Sequence, residues 1–129
     1  MAPGRSVRVF ATAVAVLTVL SSGYFTVSGL LAPGILVPGG DAAAPRAFAA
    51  YMAARSIVLL GGLALFAALR AWRPLALVLA LNAGVQLVDT VIGATRHELA
   101  QTLGPACFAL LLGVAAWSLL RAPLPRHAA

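Results

Sequence analysis

Arg55 and Asp89 are the residues whose type and position could do chemistry in this chain, because each interrupts a hydrophobic stretch long enough to cross a bilayer. An ionisable side chain at a helix centre in lipid costs about 2.5–3.5 kcal/mol on insertion scales, and it is kept where it binds, relays or pairs. Arg55 lies in the stretch 48–69 and Asp89 in 74–94, and the basic link Arg70-Ala71-Trp72-Arg73 joins them. Counted from Trp72, Arg55 is 17 residues back (72 − 55) and Asp89 is 17 forward (89 − 72). Antiparallel helices share a rise of ~1.5 Å per residue, so this spacing predicts a cation and an anion at matching depth on neighbouring helices. The pair could hold the polar head of a ligand, or it could simply fasten two helices.

Other polar residues gather round that depth. Asn82, Gln86 and Asp89 follow at spacings of four and three, which is one helix face, and Gly93 continues the stripe. Lipid offers no hydrogen-bond partners, so such a stripe is expected to face protein or water. Tyr51 and Arg55 are four apart and share a face; Tyr24 lies about seven residues before the end of its own span, ~10 Å inside it. Together Tyr24, Tyr51, Arg55, Asn82, Gln86 and Asp89 make a candidate binding pocket in the outer half of a bundle, with His97 and Glu98 at its mouth. In it Arg55 would hold a ligand's polar head, Asp89 and Tyr51 would orient Arg55, and the two amides would add hydrogen bonds. A plainer set of roles stands beside this one. Asn82 and Gln86 can bond across helices for ~0.6 kcal/mol each, the tyrosines can anchor at the interface, and His97 and Glu98 can be loop and cap residues. Cys107 in an apolar run behaves as a small hydrophobe.

Four elements must position these groups. Spans of ~20 apolar residues are needed to cross the hydrocarbon, and the chain supplies them at about 9–31, 47–69, 74–94 and 96–120. The first could be a signal peptide, but its apolar run continues past Ser21-Ser22-Gly23 with no convincing cleavage site, so it is read as a retained helix. Residues 32–46 form a loop rich in Pro and Gly, with an apolar Gly-Ile-Leu-Val-Pro stretch suited to the interface. Thr95-Arg96-His97-Glu98 fits a capping box opening the last helix, and Pro105 should bend that helix mildly. The polar tail 121–129 follows. Arg5, Arg8, Arg70, Arg73, Arg121 and Arg126 fall on one side, against Arg46 and Arg96 offset by Asp41 and Glu98 on the other. This bias predicts both termini in the cytoplasm. The fold expected is therefore all-α, a single domain over 1–129 forming a four-helix transmembrane bundle, N-in and C-in, in a plasma membrane.

Composition agrees: 62% hydrophobic, 9% charged and a mean hydropathy of +1.00, against about 25% charged residues in soluble domains. The nine basic residues, all Arg, are scattered, so the net charge of +6 reads as membrane topology rather than nucleic-acid binding. One cysteine allows no internal disulfide, and one interior carboxylate with one loop histidine makes no metal site. No phosphate loop or nucleophile elbow is present, and no cofactor is expected. A small multidrug-type antiporter would need a glutamate in the first span, which carries no charge over 9–31.

At Ala54-Arg55-Ser56, Gly61-Gly62 and Asp89 the chain resembles the small four-helix bacterial membrane proteins of unknown function, loosely the DoxX family, over about Tyr24 to Leu120. That resemblance implies a bacterial membrane protein and a four-helix bundle, and it supplies no activity. The function expected is binding of a small lipophilic or amphipathic molecule in the polar pocket. Two alternatives stay open: an enzyme doing isomerase- or cyclase-like acid–base chemistry on a lipophilic substrate, with Asp89 as general acid or base and a tyrosine as its partner, and an accessory subunit of a membrane complex. The partners expected are the bilayer, the lipophilic ligand, and a second copy or another membrane protein.

Overall fold

The computed structural model describes residues 3–121, all of the described regular structure being helical; the tail after Arg121, with Arg126, lies outside the described residues. The helices are α1 (Arg5–Leu31), the single turn α2 (Pro33–Leu36), α3 (Ala43–Ala68), α4 (Trp72–Thr95) and α5 (Leu99–Leu120). Four of them, all but α2, are long and apolar enough to cross a membrane. At 22–27 residues each, they span 33–40 Å at ~1.5 Å per residue, enough for the hydrocarbon and its interfaces.

Helix ends differ from expectation by two to four residues, for physical reasons. α3 begins at Ala43 rather than 47 and α4 at Trp72 rather than 74, with Pro45 and Pro74 each at the third helical position. Proline is harmless in a first turn, where its missing N–H would have had no partner. α1 begins at Arg5, after Pro3 and Gly4, so Arg5 and Arg8 belong to the helix rather than to a lead-in.

Both tight turns close in the same way. At the end of α3, Arg70 N–H donates to the Ala67 carbonyl (3.1 Å) and Ala71 N–H to the Phe66 carbonyl (2.9 Å), with Arg70 at φ 53°. At the end of α4, His97 N–H donates to Ala94 (3.1 Å) and Glu98 N–H to Gly93 (3.0 Å), with His97 at φ 56°. This is the Schellman pattern, in which a left-handed residue satisfies the last carbonyls of a helix. The expected capping box is therefore corrected. Thr95 Oγ1 donates backward to the Ile92 carbonyl at 2.8 Å, Glu98 is the N-cap of α5 without a side-chain cap bond, and α5 starts at Leu99 instead of 96. Residues 95–98 finish α4; they do not cap α5.

The long helices form a ring in which α1 packs on α3 and α5, and α4 packs on α5 and α3. The α4–α5 pairing is the most extensive and the α3–α4 pairing the slightest of these. Two residues explain the first. Pro105 has no N–H to give the Gln101 carbonyl four residues back, and side-chain-free Gly93 presses against that carbonyl, where a Cβ would collide. The core, with Leu63, Leu75, Leu79 and Leu112 fully buried, fills the half of the bundle nearest the N-terminus of α1 and the α3–α4 turn. Trp117 closes the C-terminal end of α5, with the Arg121 guanidinium 4.2 Å from its ring centre, a cation–π contact.

Candidate functional site

In the other half the four long helices part around a cavity of about 640 Å³, within the range of small-molecule sites, ~300–1,000 Å³. Leu60 and Phe108 form its floor where it meets the core. Leu36 and Val37, from α2 and the residue after it, border it at the far end, with Ile92 and Ala100. The apolar stretch of the 32–46 loop thus packs on α1, with Leu36 Cδ1 where a Cβ on Gly29 would just touch it.

Asn82, Gln86 and Asp89 all line this cavity from one face of α4. Asn82 is buried at its deep end (5% exposed) and donates its amide N–H to the Val78 carbonyl at 2.9 Å, leaving its oxygen free to accept. Gln86 is half-buried and Asp89 more open. The polar stripe read from spacing is a real wall of the cavity.

Arg55, Tyr51 and Tyr24 are not part of that lining. α3 meets the cavity through Ala49, Met52, Ala53, Ser56, Leu59 and Leu60. Those positions recur at threes and fours, one helix face. Tyr51 and Arg55 do share a face, but it is the outward one, with Phe48, Val58 and Leu65; Tyr51 is 73% exposed. Tyr24 is 63% exposed and stacks edge-on with Phe25, the ring centres 5.5 Å apart. Among the described residues the ion pairs are Arg46–Asp41 and Arg96–Glu98, each at 3.2 Å, so Arg55 and Asp89 do not pair. The depth argument also shifts: the turn is Leu69–Ala71, centred on Arg70 rather than Trp72. Arg55 stands 13 residues before Ala68 (68 − 55) and Asp89 17 after Trp72 (89 − 72), an offset of about 6 Å.

His97 and Glu98 also lie outside the lining; His97 makes the turn and Glu98 bonds Arg96. In their place stand groups that sequence reasoning passed over: Ser21, Ser22 and Thr26 on α1, Ser56 on α3 and Gln101 on α5. Small hydroxyls are weak signals in an apolar helix because they can bond back to their own backbone, as Thr26 does to the Ser22 carbonyl at 2.8 Å. Their clustering at 21, 22 and 26 was the available clue.

The result is an amphipathic chamber. Its walls are largely apolar, its polar groups are amides and hydroxyls from all four long helices, and among the described residues Asp89 is the only ionisable side chain in the lining. Among the described residues no three His, Cys, Asp or Glu side chains come together as metal ligands would. No family model matches the chain, and no curated protein or solved structure is significantly similar to it.

Proposed function

We propose that this is a multi-pass membrane protein that binds a small amphipathic molecule in the chamber walled by Asn82, Gln86 and Asp89, with both termini in the cytoplasm of a bacterial cell. The observation that carries the reading is the cavity itself: about 640 Å³ bordered by four helices and partly open at its sides, in a chain whose other half is tightly packed. The polar head of the ligand meets the α4 stripe and its apolar part meets Phe25, Leu59 and Phe108. Arg55 takes no part in it. The cytoplasmic placement rests on the arginine bias, and kinship with the DoxX-like group rests on the Arg55, Gly61-Gly62 and Asp89 pattern alone.

The test uses the neutral dye Nile red with purified protein in nanodiscs. Saturable binding at one site is expected, and Gly104→Leu should abolish it: Gly104 lines the cavity, and a Cβ there meets open space. Binding that is never saturable, or that survives Gly104→Leu combined with Ser56→Leu, sinks the reading.

The enzyme alternative loses its partner group, because the tyrosines that would work with Asp89 are outside the chamber. The accessory-subunit alternative keeps one specific observation. Arg55, halfway along α3, presents its guanidinium on the outward face with no ion pair among the described residues, which suits an acidic transmembrane segment of another protein. In mild detergent, Arg55→Leu would then release a stoichiometric partner that wild type retains.

A further inference from the structure

We infer that the ligand of the chamber is an amphipathic cation, with a protonated amine or other onium group seated at Asp89; this rests on the chamber being a binding site. Three features of the lining converge on it. First, the charge is one-signed. Among the described residues the lining holds one carboxylate and no Arg, Lys or His, and Arg55, on the neighbouring helix, is exposed and outside that lining. A charge in a low-dielectric site is costly until paired with its opposite. An anionic head group would add a second negative charge, and a neutral one would leave Asp89 without a counter-ion.

Second, the lining holds hydrogen-bond acceptors that a cation's N–H groups can use. Thr26 gives its hydroxyl proton to the Ser22 carbonyl and so offers an oxygen to the chamber; Asn82, seven residues deeper on α4 than Asp89, gives one of its two amide N–H bonds to Val78. An ionised carboxylate accepts only. Such a lining suits a donor such as an ammonium group.

Third, Phe25 and Phe108 are in the same lining, and aromatic faces attract cations within ~6 Å of the ring centre. The remaining wall, Leu36, Val37, Leu59 and Ile92 among it, takes an apolar body. A zwitterionic lipid head fits less well, because its phosphate would find no cation.

The experiment compares two probes of one shape and opposite charge, tetraphenylphosphonium and tetraphenylborate, on wild type in nanodiscs, alongside Nile red. The phosphonium should bind at least about tenfold more tightly than the borate and should displace Nile red. Asp89→Asn should remove that preference and Asp89→Glu should restore it, while Arg55→Gln, remote from the chamber, leaves it unchanged. In dodecyl maltoside micelles, which carry no amine, adding phosphatidylethanolamine separates the sources. If it competes with the phosphonium, the cation is a lipid amine; if it does not, the cation is a free amphiphile. Saturable Nile red binding with equal affinity for the two ions, or tighter borate binding, overturns the inference and leaves the binding reading standing. Absence of saturable Nile red binding overturns both. The wild-type comparison decides the matter even where a variant fails to fold.

Discussion

Near the α3–α4 turn the four long helices close on Leu63, Leu75, Leu79 and Leu112, all fully buried, whereas beyond Leu60 and Phe108 the same helices part around about 640 Å³ of space. Both halves come from one kind of sequence, apolar runs with small residues between. The difference lies in what stands at the inward positions of each helix. In the packed half they are Leu and Ala, so Ala11, Ala15, Ala76 and Ala115 let the leucines of facing helices interdigitate. In the open half they include Ser21, Ser56, Gln86 and Asp89, side chains that do not interlock and leave the α3–α4 contact slight. A bundle can afford such a half only if the other half holds it together.

That contrast is most directly broken in the core. Leu79→Ala should lower stability in detergent by about 2–5 kcal/mol, the usual loss for a buried leucine, read as a fall in Tm. Gly104→Leu adds volume on the open side, where a Cβ meets nothing within 4 Å. It should leave Tm unchanged or higher, because glycine is the poorer helix former by about 1 kcal/mol. Equal destabilisation by the two would mean that the cavity closes in solution.

The next effect in size concerns how α4 is held on α5. Gly93→Ala puts a Cβ against the Gln101 carbonyl, a backbone atom that cannot swing aside, and should cost about 1–3 kcal/mol as overpacking does. The polar wall should matter far less to stability. Gln86→Leu, half-buried at the chamber, is expected to cost no more than about 0.6 kcal/mol in thermal unfolding, the average worth of a polar contact between membrane helices. A loss of several kcal/mol there would make Gln86 part of the bundle's fastening rather than of a site.

How legible all this was depends on which face a residue occupies. The four spans follow from run length alone, and the α4 stripe of Asn82, Gln86 and Asp89 follows from polar spacing in an apolar helix. The facing of α3 did not follow. In a soluble helix a polar side marks the outside, but in α3 apolar residues occupy every face, with Arg46, Tyr51, Arg55 and Ser56 set among them, so its apolar pattern carries no orientation. The rule that membrane polar groups turn inward then drew Tyr51 and Arg55 to the wrong side. Ser56, one position on, is the residue that lines the chamber. The turns were missed for a different reason: Arg70 and His97 adopt left-handed backbone conformations that usually advertise themselves with glycine.

The smallest expected effect is the sharpest test of that facing. Arg55→Gln, Asp89→Asn and the double variant make a thermodynamic cycle, measured by unfolding in detergent. Sites with no shared partner add to within about 0.3–0.5 kcal/mol, and Arg55 and Asp89 share none among the described ion pairs. The coupling should therefore vanish within that margin. Consecutive residues of a helix are about 100° apart, so a rotation of α3 by roughly one residue would exchange Ser56 for Arg55 at the chamber wall. A coupling above about 1 kcal/mol, well outside additivity, would demand that rotation. It would also put a cation beside Asp89, and with it the preference between phosphonium and borate should disappear. The cycle and the probe pair thus read the same helix face, one through stability and the other through binding.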